Sequence, residues 1–74
     1  MFPMARYWIS STRYYTATVS VDLLGDLVLV RRWGGRHNNR GGEATRLLAD
    51  AEAGRAELDA LDRLRTSRGY RLVG

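Results

Sequence analysis

Residues 14–35 read YYTATVSVDLLGDLVLVRRWGG. The first ten alternate. Tyr15, Ala17, Val19, Val21 and Leu23 fall on one side, and Tyr14, Thr16, Thr18, Ser20 and Asp22 on the other. A period of two with one apolar row predicts a strand with a buried face and a wet face. Leu24-Gly25-Asp26 is then a link short enough for a hairpin. Leu27-Val28-Leu29-Val30 is apolar on both sides, as a central strand requires, and Arg31-Arg32-Trp33 carries that strand to its exit. Upstream, Arg6-Tyr7-Trp8-Ile9-Ser10 is rich in strand formers, with Tyr7 and Ile9 on one side. The polar Ser10-Ser11-Thr12-Arg13 breaks it off. The three segments read as a meander, with Trp8 and Tyr7 serving as core or sheet-face packing.

Downstream the period changes. Gly34-Gly35-Arg36-His37-Asn38-Asn39-Arg40-Gly41-Gly42 contains no aliphatic side chain and is expected to be a surface loop. Beyond it, Leu47, Ala51, Gly54, Leu58 and Leu61 are spaced as one helical stripe, which allows a single helix from Ala44 to about Ser67. Asp50 is equally a good N-cap, with Glu52 in the first turn, which allows a short strand at Thr45–Ala49 before a shorter helix. Arg63, Arg65, Arg68 and Gly69 suit the helix end, and Asp59 can pair with Arg63 one turn on. Periodicity alone leaves both readings open. Tyr70-Arg71-Leu72-Val73 reads as a closing segment.

Seventy-four residues make one domain. A chain this short builds a thin core, and domains of its size commonly add a disulfide or a metal. Here cysteine is absent and His37 is the only histidine, so neither a disulfide nor a protein-built zinc cage is expected. The absence of cysteine fits a reducing cytoplasm. The longest apolar run, Leu27–Val30, is four residues, against about 20 for a membrane span. All twelve basic residues are arginine, and the net charge is +4. Residues 1–42 hold six arginines against two acids, residues 43–64 three against six, and the last ten a further three arginines. Such a polarised molecule orients on a polyanion.

Enzyme templates fail in turn. Nothing near His37 resembles a nucleophile elbow, and the glycine-rich segment lacks the Gly-Lys-Ser/Thr of a phosphate loop. Asp59 and Asp62 share a helix face, where a solvated surface explains them. What remains is Arg31 to Gly42, with four arginines and one histidine around Trp33. Trp33 has the parity of Leu27 and Leu29, so it can pack on the edge of the core. Alternatively its indole is a stacking platform for a base or sugar, beside guanidiniums that hold phosphate. The arginines can equally be a solvated loop that keeps a small protein in solution, and His37 an exposed polar residue or a phosphate contact.

These residues resemble the WGR domain. The resemblance is carried by Tyr14-Tyr15, Val19-Ser20-Val21-Asp22-Leu23-Leu24-Gly25, the strand Leu27 to Val30 ending in Arg31-Arg32-Trp33-Gly34, the later Gly41-Gly42, and the final Gly69-Tyr70. It spans roughly residues 6–73. The family occurs in poly(ADP-ribose) polymerases and as small free-standing bacterial proteins. It implies an α+β fold: a small antiparallel sheet, the three-strand meander plus one or two short strands, with one principal helix packed on it. That favours a strand near Ala44–Ala49 and a helix from Asp50 to about Ser67. Residues 1–5 would then be a flexible leader.

The resemblance also implies binding at DNA breaks, with the motif tryptophan on the terminal nucleotide and nearby basic residues on backbone phosphate. Trp33 and Gly34 hold the first two motif positions. The third departs, because Gly35 stands where the family has arginine and Arg36 follows one place late. The expectation is therefore a nucleic-acid-binding module with no catalysis and no cofactor, directed to DNA rather than RNA. Trp33, Gly34, Arg31, Arg32, Arg36, Arg40 and His37 would form its site. An acidic protein docking on the same Trp/Arg patch is the alternative, since those two residue types dominate binding hot spots.

Overall fold

The computed structural model describes residues 4–74. The order is β1 (Met4–Ile9), β2 (Arg13–Val21), β3 (Leu27–Gly35), β4 (Gly41–Leu47), α1 (Ala51–Ser67) and β5 (Arg71–Leu72). The strands form one antiparallel sheet in the order β4-β3-β2-β1-β5. A single helix packs on one face, so the fold is α+β as expected. Of the leader foreseen over residues 1–5, residues 1–3 lie outside the described residues. Met4 and Ala5 belong to β1, paired with Val19 and Thr18.

Residues directly opposite in an antiparallel sheet share a face, so the register sorts the side chains. Trp8, Tyr15 and Trp33 form one cross-strand row, ending on Gly42 in β4. Ala17 and Arg31 form the next row on this face, and Val19 and Leu29 the one after it. Trp8, Ala17, Val19 and Leu29 are fully buried, and Leu58 of α1 closes over them. Burying such side chains contributes roughly 1.5–3 kcal/mol each for the larger ones. The helix sits close because it turns Gly54 toward the sheet: a β-carbon there would lie 3.0 Å from both methyls of Val19.

Polar pairs fix how α1 lies on the sheet. The buried indole of Trp8 donates its N–H to Asp62 at 2.8 Å. Arg6 pairs with Asp59 at 2.9 Å, and Arg46 of β4 pairs with Glu57. Asp59 thus turns to Arg6 across the sheet rather than to Arg63, and with Asp62 it faces the sheet, not solvent alone. One turn farther along the helix than Asp62 comes Arg65.

Three expectations are corrected. The alternation stops at Val21, which is half exposed, and Leu23 is fully exposed. Asp22 is the cause. Its carboxylate accepts the N–H groups of Leu24 (3.0 Å) and Asp26 (2.9 Å), and Gly25 takes φ +86°, so the chain turns before Leu23 can join the row. The glycine-rich segment is loop only in its middle, and its four glycines are strand. Gly34 and Gly35 end β3, Gly41 and Gly42 begin β4, and only Arg36–Arg40 is loop. Glycine weakens a strand because it has no side chain to pack; here neighbouring rings fill that space, Tyr14 over Gly34 and Trp33 over Gly42. Aromatic cover of this kind rescues glycine in sheets.

The third concerns the segment that periodicity left open. It divides into strand and helix, but β4 runs Gly41–Leu47 instead of 44–49. Asp50 caps α1 by accepting the N–H of Ala53 at 2.7 Å, and Gly69 at φ +89° ends it. Among the described residues no helix is long and apolar enough to cross a membrane.

Candidate nucleic-acid interface

The end of the sheet where β3 leaves and α1 finishes is built around Trp33. Its strand position gives it the core parity, yet α1 ends before covering it, so the indole is only partly buried and packs against the rim of the core. On one side its ring runs nearly parallel to that of Tyr15, with centroids 6.0 Å apart and planes 16° from each other. On the other it lies over Gly42, where a β-carbon would be 2.8 Å from Cζ2. Position and orientation are both set by sheet partners.

Beside this floor opens a cleft of about 740 Å³ between the sheet and the end of the helix. Arg65 projects from the last turn of α1, its guanidinium 4.5 Å above the Tyr15 ring and 5.3 Å from that of Tyr70. The turn after the helix brings Tyr70 there, through a bond from its N–H to the Arg65 carbonyl at 3.0 Å. Arg31 reaches the cleft from β3, one rung nearer the core than Trp33, and Arg13 and Arg40 border it from β2 and the loop.

The electrostatics are one-sided. Among the described residues four arginines line the cleft and no carboxylate does. The three ion pairs among the described residues engage other arginines. The Nε atoms of both Arg31 and Arg65 are buried without a hydrogen-bond partner. Polar atoms withdrawn from water normally find a partner; both side chains also line the cleft, and an anion is the chemistry that such a lining fits. Guanidinium forks match phosphate oxygens in geometry as well as charge.

The residues singled out from sequence divide. Trp33, Gly34, Arg31 and Arg40 meet at the cleft. Arg32 does not: a neighbour in a strand points to the opposite face, where it lies 3.5 Å from Glu43. Arg36 turns away to donate from Nη1 to the Ser10 carbonyl at 2.8 Å, while its backbone N–H bonds Thr12. It ties the β3–β4 loop to the β1–β2 turn. His37 is exposed in that loop, outside the cleft. Gly35 is explained locally. A β-carbon there would come 2.5 Å from the Asn38 amide, which is folded back to accept the N–H of Arg40 at 2.8 Å.

Sequence reasoning missed Tyr15, Arg13, Arg65 and Tyr70. The first two carried a usable signal, since both have the parity of Ala17 and the β2–β3 hairpin, centred on Leu24, brings them near Trp33. Arg65 read as a helix-end charge, and its place over Tyr15 is visible only once α1 lies on the sheet.

A small antiparallel sheet backed by one helix, with an aromatic floor beside four guanidiniums at one end, makes a small α+β domain with an arginine-lined cleft. The chain matches the WGR domain model over residues 4–74 and belongs to that family. The WGR domain is a nucleic-acid-binding type of module. No curated protein and no solved structure matched the chain.

Proposed function

We propose that this WGR domain binds DNA at ends or breaks and acts by binding alone, without chemistry of its own. Trp33 stacks on the terminal nucleotide, and Arg13, Arg31, Arg40 and Arg65 take the adjoining phosphates. The observation that carries the reading is the pairing of a partly open indole with four guanidiniums in a cleft free of carboxylates. A closed duplex offers its base faces to nothing, whereas an end exposes one, so an aromatic floor favours ends. The phosphate contacts add affinity without reading sequence.

The test compares a linear duplex with a closed circle of the same sequence by fluorescence anisotropy, for the wild type and Trp33→Ala. Tighter binding of the linear form is expected, with the difference abolished in the variant. Equal affinities in the wild type would remove end recognition. No binding to either at low salt would transfer the patch to the alternative occupant, an acidic protein.

A further inference from the structure

A second hollow, of about 530 Å³, lies at the same hairpin end and extends onto the other face of the sheet. Tyr14, Arg32 and Glu43 line it together with Asn39, Arg40 and the edge of Trp33. The register puts Tyr14, Arg32 and Glu43 on the face opposite Trp33 and α1. Among the described residues no helix covers that face.

The hollow is shaped for something flat. Gly34 and Gly41 are paired rungs of β3 and β4, and neither carries a side chain. The Tyr14 ring lies over Gly34, where a β-carbon would be 3.0 Å from its Cε2, and Tyr7 braces it edge-on with centroids 6.5 Å apart at 81°. Tyr14 is therefore held as a fixed, half-open aromatic surface. At the far wall Arg32 and Glu43, 3.5 Å apart and both largely exposed, offer a donor beside an acceptor. A base edge presents the complementary pair, whereas a carboxylate would repel phosphate. The hollow thus suits a nucleobase, with its phosphate left outside at Arg40.

Arg40 and Asn38 border both the cleft and the hollow. Trp33 borders both as well, so the two hollows adjoin at the hairpin end, with the loop Arg36–Arg40 beside them. Resting on the reading of the cleft as a DNA-end site, the geometry points to a second subsite, which takes an unpaired base from a single-stranded tail at that end. One strand's terminus lies on Trp33 while the tail passes the loop at Arg40 and stacks on Tyr14.

The test measures binding of three DNAs by anisotropy: a blunt duplex, the same duplex with a three-nucleotide tail, and a dumbbell closed at both ends. The proteins are the wild type, Tyr14→Leu, Arg32→Gln and Trp33→Ala, each checked by circular dichroism. The wild type should bind the tailed duplex about fivefold tighter than the blunt one, the lower end of what one stacked base contributes. That ratio should fall to about one in Tyr14→Leu and Arg32→Gln, the second being a surface change that leaves the fold intact if the first does not. Equal affinities for blunt and tailed DNA in the wild type, or a ratio unchanged in Arg32→Gln, overturns the second subsite and leaves the cleft standing. Failure to prefer ended DNA over the dumbbell, or indifference to Trp33→Ala, overturns the cleft reading and the subsite with it.

Discussion

The indole of Trp33 lies over Gly42, its partner on the adjacent strand, in the space where any other residue would carry a side chain. The ring can lie flat on the sheet only because position 42 is empty. Gly42→Val should expel it. Overpacking of this kind costs about 1–3 kcal/mol, so thermal unfolding should come earlier, and affinity for ended DNA should fall as far as in Trp33→Ala. Trp8 is fully buried elsewhere, so a red shift of tryptophan emission would report Trp33 alone. Unchanged emission and affinity would show that the ring's placement does not depend on Gly42.

Salt dependence should count the arginines. Each phosphate neutralised contributes about −0.9 to the slope of log K against log salt, so four contacts give about −3.6. Arg31→Gln or Arg65→Gln should each bring the slope to about −2.7. Arg55→Gln, exposed on the helix away from the cleft, should leave it near the wild-type value. Identical slopes in all three variants would mean that the cleft does not hold the phosphates.

Gly35→Arg restores the residue that the family motif has third. The new β-carbon would collide with the Asn38 amide, which must then release the Arg40 N–H. The loop should loosen, seen as faster amide exchange at Arg40, while the added charge compensates part of any loss in DNA affinity. Retained protection at Arg40 would mean that the loop has another way to accommodate the side chain.

Asp62→Ala leaves the Trp8 indole N–H buried without a partner. An unsatisfied buried donor costs about 1–3 kcal/mol, which in a domain of this size lowers the melting temperature by roughly 4–8 °C per kcal/mol. The loss from Asp62→Ala should be smaller in a Trp8→Phe background, where no donor remains to be stranded. A loss of equal size in both backgrounds would show that Asp62 acts through something other than this bond.

The meander was legible because strand alternation is a local property: Tyr15, Ala17 and Val19 repeat with a period that only a half-buried strand explains. The alternation misled at Leu23, where the decisive information was the carboxylate of Asp22 bonding two backbone N–H groups, a preference that hydrophobic periodicity does not register. The glycines around the Arg36–Arg40 loop misled for a related reason. Their strand character comes from Tyr14 and Trp33 covering them across the sheet, and cross-strand cover is not written in the segment itself. The site was half legible. Trp33, Arg31 and Arg40 stood out by composition, but strand parity sends Arg32 to the other face, and Arg65 and Tyr70 enter only through the packing of α1. Trp8 was foreseen as packing, while its bond to Asp62 depends on contact between residues 54 positions apart.

The bonds from Arg36 to Thr12 and Ser10 join two turns that are distant in sequence. Because the β1–β2 turn and the β3–β4 loop are stitched together by one arginine, neither can be reshaped alone. Grafting a longer or shorter loop between Gly35 and Gly41 would drag the neighbouring turn, and Arg13 with it, toward or away from the indole. An engineer wishing to retune which polyanion this domain accepts should therefore exchange both turns as a cassette, treating them as a single jaw rather than as two independent loops.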